Sequence, residues 1–249
     1  MKLEQVLATR NNKTIYHLDD TVVKVFNEGY PKSSILNEAL NQARVEETGL
    51  KIPKISSVSN IDGKWSISMD YISGETLEQK LKNNPEKAPE LLNLFVDLQI
   101  EMHSKTAPLL NKLKDKLIRK IQSVMDLDST TKYELLTQLD SMPKHVKLCH
   151  GDFLPSNIII NDSGAYILDW SHATQGNASA DVATTYLKMS LNYPDLADSY
   201  LKLFCKKSNT ALPYVQKWLP IIAAGQYNTA TEEEKIFLFK WLDVIDYQG

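Results

Sequence analysis

LCHGDFLPSNIII (Leu148–Ile160), followed after NDSGA by YILDW (Tyr166–Trp170), decides the reading of this chain. Gly151 and Pro155 disfavour a regular helix or strand in the first half, so Asp152 and Asn157, separated by Phe153 to Ser156, lie on a loop. Ile158 to Ile160 is a short β-branched run suited to a buried strand. Asn161 to Gly164 is a cluster of turn formers, and Ala165 to Leu168 reads as the returning strand. Such a hairpin carries Asp169 back toward the loop that holds Asp152 and Asn157.

Two carboxylates and an amide oxygen would then converge at one end of a hairpin. Asn157 and Asp169 are hard oxygen ligands, of the kind Mg²⁺ accepts when substrate phosphates and water complete its octahedron. Asp152 is left to orient a hydroxyl or take its proton. Phosphoryl transfer needs this division of labour, because the protein contributes mainly positioning and charge neutralisation. Any one of these residues alone reads as an ordinary turn former; the ordered set points to chemistry.

The segment resembles the catalytic and metal-binding region of the aminoglycoside phosphotransferase and choline kinase-like family. That family is related in fold to the protein kinases, which share the D-x-x-x-x-N spacing. The resemblance implies an α+β, bilobal protein kinase-like fold, with a small β-rich N-terminal lobe and a larger, mainly helical C-terminal lobe. It divides the chain into residues 1–72, the nucleotide-binding lobe, and 73–249, the catalytic and acceptor-binding lobe. By the same resemblance Asp152 is the catalytic base, Asn157 and Asp169 bind Mg²⁺, His150 is a structural loop histidine, and Asp181 braces the loop through hydrogen bonds. Gly151 stands where protein kinases generally have Arg, and Trp170-Ser171 replaces their Phe-Gly. Both departures point to an acceptor hydroxyl on a small molecule: an aminoglycoside, choline, or another amino alcohol or sugar.

Upstream, Thr14–His17 and Thr21–Phe26 read as strands joined by the turn-prone Asp19-Asp20. Lys24 interrupts the apolar run VVKVF and therefore needs water, a partner or a ligand. An edge strand would supply water. The downstream motif favours a phosphate contact instead, like the family's strand lysine. SSILNEALNQARVEETG reads as a helix capped by Ser33 or Ser34 and ended by Gly49, with Leu36, Ala39, Leu40 and Ala43 as its apolar face. Glu38 falls where the family's lysine-pairing glutamate lies, with Glu46 and Glu47 as competitors. Trp65, Ile67 and Met69 alternate with serines as in a half-buried strand, and the following Asp70, Tyr71 and Ile72 resemble the hinge whose backbone meets adenine. The nucleotide loop, Ala8–Lys13 (ATRNNK), holds no glycine, although Asn11 and Asn12 tolerate left-handed angles. ATP is the expected donor, with GTP left open.

The second half opens with an amphipathic helix over 88–104, bearing Leu91, Leu92, Phe95, Leu98 and Met102. The next helix, around 109–125, has a basic side of Lys112, Lys114, Lys116, Arg119 and Lys120, read as a solvated face. A quaternary ammonium acceptor would use aromatics among Tyr186, Tyr193, Tyr200, Trp218, Tyr227 and Trp241. A polyamine sugar would use carboxylates such as Glu232 to Glu234, Asp243 or Asp246. Core packing accounts for most of the aromatics, and a helix cap at Thr231 for the acidic run.

With 249 residues and a net charge of −3, nothing suggests a nucleic-acid partner. Two cysteines make neither a zinc motif nor a disulfide framework, and no segment approaches a membrane span; a cytoplasmic protein is expected. Two other readings compete with the small-molecule kinase. A nucleotide-binding pseudokinase would explain the glycine-free loop, and a protein kinase would share the loop motif but lacks its Arg.

Overall fold

The structure is a computed structural model in which residues 5–242 are described. In chain order the first elements are β1 (Gln5–Thr9), β2 (Lys13–Leu18), β3 (Thr21–Phe26), α1 (Lys32–Glu46), β4 (Ile55–Ile61), β5 (Lys64–Asp70), β6 (Glu75–Thr76) and α2 (Leu77–Asn83). Then follow α3 (Ala88–Ser104), α4 (Leu113–Ser123), α5 (Ser129–Ser141), β7 (Lys147–Cys149), β8 (Ile158–Asn161), β9 (Gly164–Ile167) and β10 (Thr174–Gly176). The chain closes with α6 (Ala178–Asn192), α7 (Pro194–Ser208), α8 (Leu212–Gln216), α9 (Leu219–Tyr227) and α10 (Glu232–Phe239). A β-rich first part and a mainly helical remainder give the expected α+β class. By internal contacts the chain forms two compact units, one running up to Pro85 and including Pro155–Ala173, the other holding Glu86–Leu154 and the residues from Thr174 on.

The first unit is built on an antiparallel sheet of order β1-β2-β3-β5-β4. Asp19 turns β2 into β3 with a left-handed φ of 50°, which a short polar side chain tolerates. Lying between β3 and β4, β5 is buried on both faces, so Ser66 and Ser68 do not point to water as strict alternation predicts. The Ser66 hydroxyl instead lies 3.0 Å from that of Ser59 on β4, which satisfies it locally. Phe26, Ile35, Ala39, Ile67 and Met69 form the core under α1.

Helix α1 departs from its sequence reading at both its start and its face. It begins at Lys32 after Pro31, whose fixed φ suits a helix entrance, and no side chain caps it; Ser33 and Ser34 lie within its first turn. Its buried face is Ile35, Glu38, Ala39, Asn41, Gln42 and Val45, while Leu36 and Leu40 are 42% and 46% exposed. The polar members are buried because each has a partner: Asn41 donates to the Ser171 carbonyl at 3.2 Å and Gln42 to that of Pro53 at 2.6 Å.

A second sheet, β6-β8-β9, completes the first unit. The hairpin β8–β9 pairs Asn161 with Gly164 across a two-residue turn, and the Asn161 side chain accepts the Ser163 N–H at 2.9 Å. Gly74 leads into β6 with φ 141°; a Cβ there would sit 2.5 Å from the Ile160 carbonyl oxygen, so the close pass needs glycine.

In the second unit α6 is central and packs against α7, α8, α9 and the short strand β7, which pairs with β10. Helix α9 is apolar on nearly every side and buried accordingly. Among the described residues, no helix is long and apolar enough to cross a membrane.

Candidate active site

The candidate residues fall into two groups, one in each unit. In the first unit, Lys24 on β3 is buried, and its Nζ donates to Glu38 Oε1 on α1 at 2.8 Å. Lys24 Nζ also lies 3.7 Å from Asp169 Oδ1. Burial works against the Lys24 charge, but the carboxylates of Asp169 and Glu38 outweigh it and raise its pKa above the ordinary value. The ammonium is therefore held charged inside the protein. Of Glu38, Glu46 and Glu47, it is Glu38 that meets Lys24; Glu46 accepts the Ile55 N–H at 2.8 Å instead.

Glu38 also binds Lys13, whose Nζ lies 2.8 Å from Oε1 and 3.0 Å from Oε2. Lys13 was not singled out in the sequence, although it closes the glycine-free loop and opens β2. That loop folds as a tight turn, with the Arg10 N–H on the Lys13 carbonyl at 2.8 Å. Asn27 holds it from outside through bonds to the Asn11 and Asn12 carbonyls. Neither asparagine takes the left-handed angle anticipated for it: the positive-φ residues other than glycine are Asp19, Asp62, Asp169 and Asn209 among the described residues.

The hairpin β8–β9 sets the remaining groups of this unit. Leu168 N–H donates to the Asn157 carbonyl at 2.8 Å, which ties the two ends of the hairpin beside Asp169. Asp169 has φ 57° and ψ 71°, a left-handed conformation that costs a non-glycine residue on the order of 1 kcal/mol or more. Trp170, fully buried, donates its ring N–H to the Ile167 carbonyl at 3.1 Å and anchors the turn after it. No group of three His, Cys, Asp or Glu side chains could hold a metal by itself among the described residues. Asn157 and Asp169 fit a different requirement, that of Mg²⁺, which takes one or two protein oxygens and fills its shell from phosphates and water.

At the hinge segment, the Asp70 N–H is donated to the Lys54 carbonyl at 3.0 Å and that of Tyr71 to the Asp20 carbonyl at 2.9 Å. Both donors are thus committed within the sheet region, and the Tyr71 ring stacks on His17 with centroids 3.8 Å apart. Of the three backbone N–H groups of Asp70, Tyr71 and Ile72, that of Ile72 takes no part in these two bonds.

The second unit organises the loop from His150 to Asp152. Asp181, near the start of α6, is fully buried and accepts the Gly151 N–H at 2.7 Å, the His150 N–H at 3.2 Å, and His103 Nε2 at 3.0 Å. Burial pushes its pKa up, but the His103 bond and charge, with the Gly151 amide, bring it below the ordinary carboxylate value. His150 is buried, and its Nδ1 accepts the Asp152 N–H at 3.1 Å, so its own proton sits on Nε2. Gly151 has φ 78°, a left-handed turn between these two anchored residues that suits glycine. Asp152 is half-buried and its carboxylate is in contact with the Lys188 ammonium from α6.

Lys188 was also missed in the sequence. Its signal resembles the one that marked Lys24: a lysine flanked by apolar residues, here Leu187 and Met189, both buried. Of the aromatics considered for an ammonium site, Tyr200, Trp218 and Tyr227 are core residues. Tyr186 donates to Asp198 at 3.0 Å and meets Trp241 edge-on at 6.0 Å. The acidic run at Glu232 to Glu234 is a capping box with Thr231 plus a Glu232–Lys235 pair at 2.8 Å. Asp243 and Asp246 lie outside the described residues.

The element order and the two groups together have the protein kinase-like fold of small phosphotransferases, and comparison with known proteins agrees. Residues 2–216 match the family described as Phosphotransferase enzyme family, so the chain belongs to that family. Its fold is shared with a thermostable mutant of aminoglycoside phosphotransferase APH(4)-Ia solved with ADP and hygromycin B. That match has a TM-score of 0.71 at 12% identity, covering 98% of this chain and 94% of that one. It is shared too with the choline kinase LicA from Streptococcus pneumoniae, with a TM-score of 0.60 at 15% identity over 99% and 93% of the two chains. In sequence, 74 residues are 28% identical to Protein LicA of Haemophilus influenzae; the match takes in 29% of this chain and 27% of that protein.

Proposed function

We propose that this protein is a Mg·ATP-dependent kinase that phosphorylates a hydroxyl of a small molecule. The observation that carries the reading is the network around the buried Lys24, whose ammonium is held between the helix carboxylate of Glu38 and the half-buried carboxylate of Asp169 that follows the hairpin. Lys24 would bind the nucleotide phosphates, with Glu38 fixing its position. Asn157 and Asp169 would hold Mg²⁺, which when bound supplies neutralisation of charge on the phosphates. Ile72 would meet the adenine edge through its N–H, alongside the carbonyls of Asp70 and Tyr71. His150 and Asp181 would hold the loop in register.

Asp152 would take the acceptor's hydroxyl proton as the new oxygen–phosphorus bond forms. The bond from the γ-phosphorus to the bridging oxygen breaks, and ADP leaves with that electron pair. Contact with an ammonium favours the ionised carboxylate, which is the form that can accept a proton. Family membership, the Asp152-x₄-Asn157 spacing and the likeness to enzymes named for aminoglycosides and choline all support the reading.

Asp152→Ala should lower acceptor-dependent ADP release by about 10²–10⁴-fold, the usual worth of a general base. Nucleotide affinity, measured by calorimetry, should change less than threefold. Undiminished phosphate transfer in this variant would remove Asp152 from the role. Mg-dependent ATP turnover on an added acceptor would separate this reading from that of a regulatory pseudokinase.

A further inference from the structure

Glu38 is bound by two lysines where one would satisfy it. The pairing of β2 with β3 sets Lys13 opposite Phe26 and Ile15 opposite Lys24, so both lysines project from one face of the sheet. Both ammonium groups end on the same carboxylate: Lys13 lies 2.8 and 3.0 Å from its two oxygens, Lys24 2.8 Å from Oε1. All three side chains are buried. An ammonium has three N–H donors, so Lys13 spends two on Glu38 and Lys24 spends one.

The second lysine is a poor device for stability alone. Burying another charge adds little when an apolar side chain could pack in its place. Such a place exists here, because Lys13 Nζ stands over the Phe26 ring, 5.4 Å from its centre. The balance shifts further if Asp169 turns to a metal ion. Lys24 Nζ then loses a carboxylate now 3.7 Å away, and two ammonium groups are left to one carboxylate. That excess of positive charge is the complement of a phosphate chain, which gains charge-assisted hydrogen bonds from it.

The loop that ends at Lys13 is an independent observation. In a glycine-rich loop the backbone N–H groups bind phosphate, since no side chain keeps it at a distance. Ala8–Lys13 carries a side chain at every position, and the Arg10 N–H is already given to the Lys13 carbonyl at 2.8 Å. The loop is poorly suited to hold phosphates by its backbone. Its last residue instead brings an ammonium to the carboxylate that positions Lys24.

We infer that Lys13 is a second phosphate-binding lysine, which does for the nucleotide what a glycine-rich loop does with its backbone. Glu38 holds both ammonium groups in place, and the phosphates take the N–H donors that Glu38 does not. The inference rests on the nucleotide reading of this site and goes beyond it, since that reading gives phosphate binding to Lys24 alone. It also accounts for the missing glycines, the feature that favoured a pseudokinase.

The test is a ladder of ligands: adenosine, AMP, ADP and ATP, each titrated by calorimetry into the full chain with Mg²⁺ present. For the unaltered chain, affinity should rise as phosphates are added. Lys13→Met and Lys13→Gln should each weaken ATP by about tenfold or more, as loss of a charge-assisted hydrogen bond does, yet leave adenosine within about twofold. Retained adenosine binding also reports that both variants are folded. A loss as large for adenosine as for ATP would overturn the inference, because it marks Lys13 as a structural member of the site. A ladder equally steep in the unaltered chain and both variants would overturn the role of Lys13 alone. A flat ladder in the unaltered chain would overturn the nucleotide reading, and the role of Lys13 with it.

Discussion

Lys116 shows what burial beside other lysines does to an ammonium group. Burial first, then repulsion from Lys120 and Lys188, lowers its pKa from 10.5 to about 8, against the pull of Asp181. Unfolding returns the group to its ordinary value, so below pH 8 it is charged in both states and the penalty is fully present. Between about pH 8 and 10.5 the folded protein sheds the proton more readily, and the penalty fades as pH rises. Lys116→Gln should therefore stabilise the unliganded protein at pH 7, by on the order of 1–3 kcal/mol or several degrees in Tm. The advantage should shrink by pH 9.5. Thermal scans of both proteins at the two pH values check this, and an equal or larger gain at pH 9.5 would contradict it.

At the scale of elements, α1 matters because one carboxylate on it holds two lysines from two strands. Removing Glu38 leaves two buried ammonium groups facing each other, and breaking such a buried set costs about 3–5 kcal/mol. Removing Lys13 leaves the Lys24–Glu38 pair intact. Glu38→Gln should thus destabilise more than Lys13→Met, and adding Lys13→Met to Glu38→Gln should recover part of the loss, about 1 kcal/mol or more. Urea midpoints of the four proteins test the cycle; simple additivity would show that Lys13 and Lys24 do not share the carboxylate in solution. The hairpin was readable in the sequence because its turn, its β-branched run and its oxygen ligands are all local. The Lys13–Glu38 and Lys188–Asp152 contacts span 25 and 36 residues, and no local period records them. The face of α1 was misread for a related reason: Asn41 and Gln42 look solvent-facing until their partners, the Ser171 and Pro53 carbonyls, are known. That the Asp70 and Tyr71 N–H groups are committed to the Lys54 and Asp20 carbonyls was likewise invisible, because backbone donors are spent or spared by long-range pairing alone.

Across the whole molecule, the first unit is discontinuous in the chain. Its five-stranded sheet lies within the first 70 residues, but the sheet β6-β8-β9 joins Glu75–Thr76 to strands that begin at Ile158. Helix α2 packs on β8 and on the turn at Pro155–Asn157. A fragment of residues 1–85 should accordingly protect β2, β3 and β5 from hydrogen exchange but leave β6 and α2 exchanging freely. Full protection of α2 in that fragment would refute this dependence. The same discontinuity sets an order of events during synthesis. At about 5–20 residues per second, the ribosome needs roughly 4–16 s to go from Pro85 to Ile167. Through that interval a nascent chain carries a finished first sheet and an unfinished second one. β6 waits with its edge open until β8 emerges, so the last metal-ligand candidate of the first unit and the last strand that completes it are made almost together.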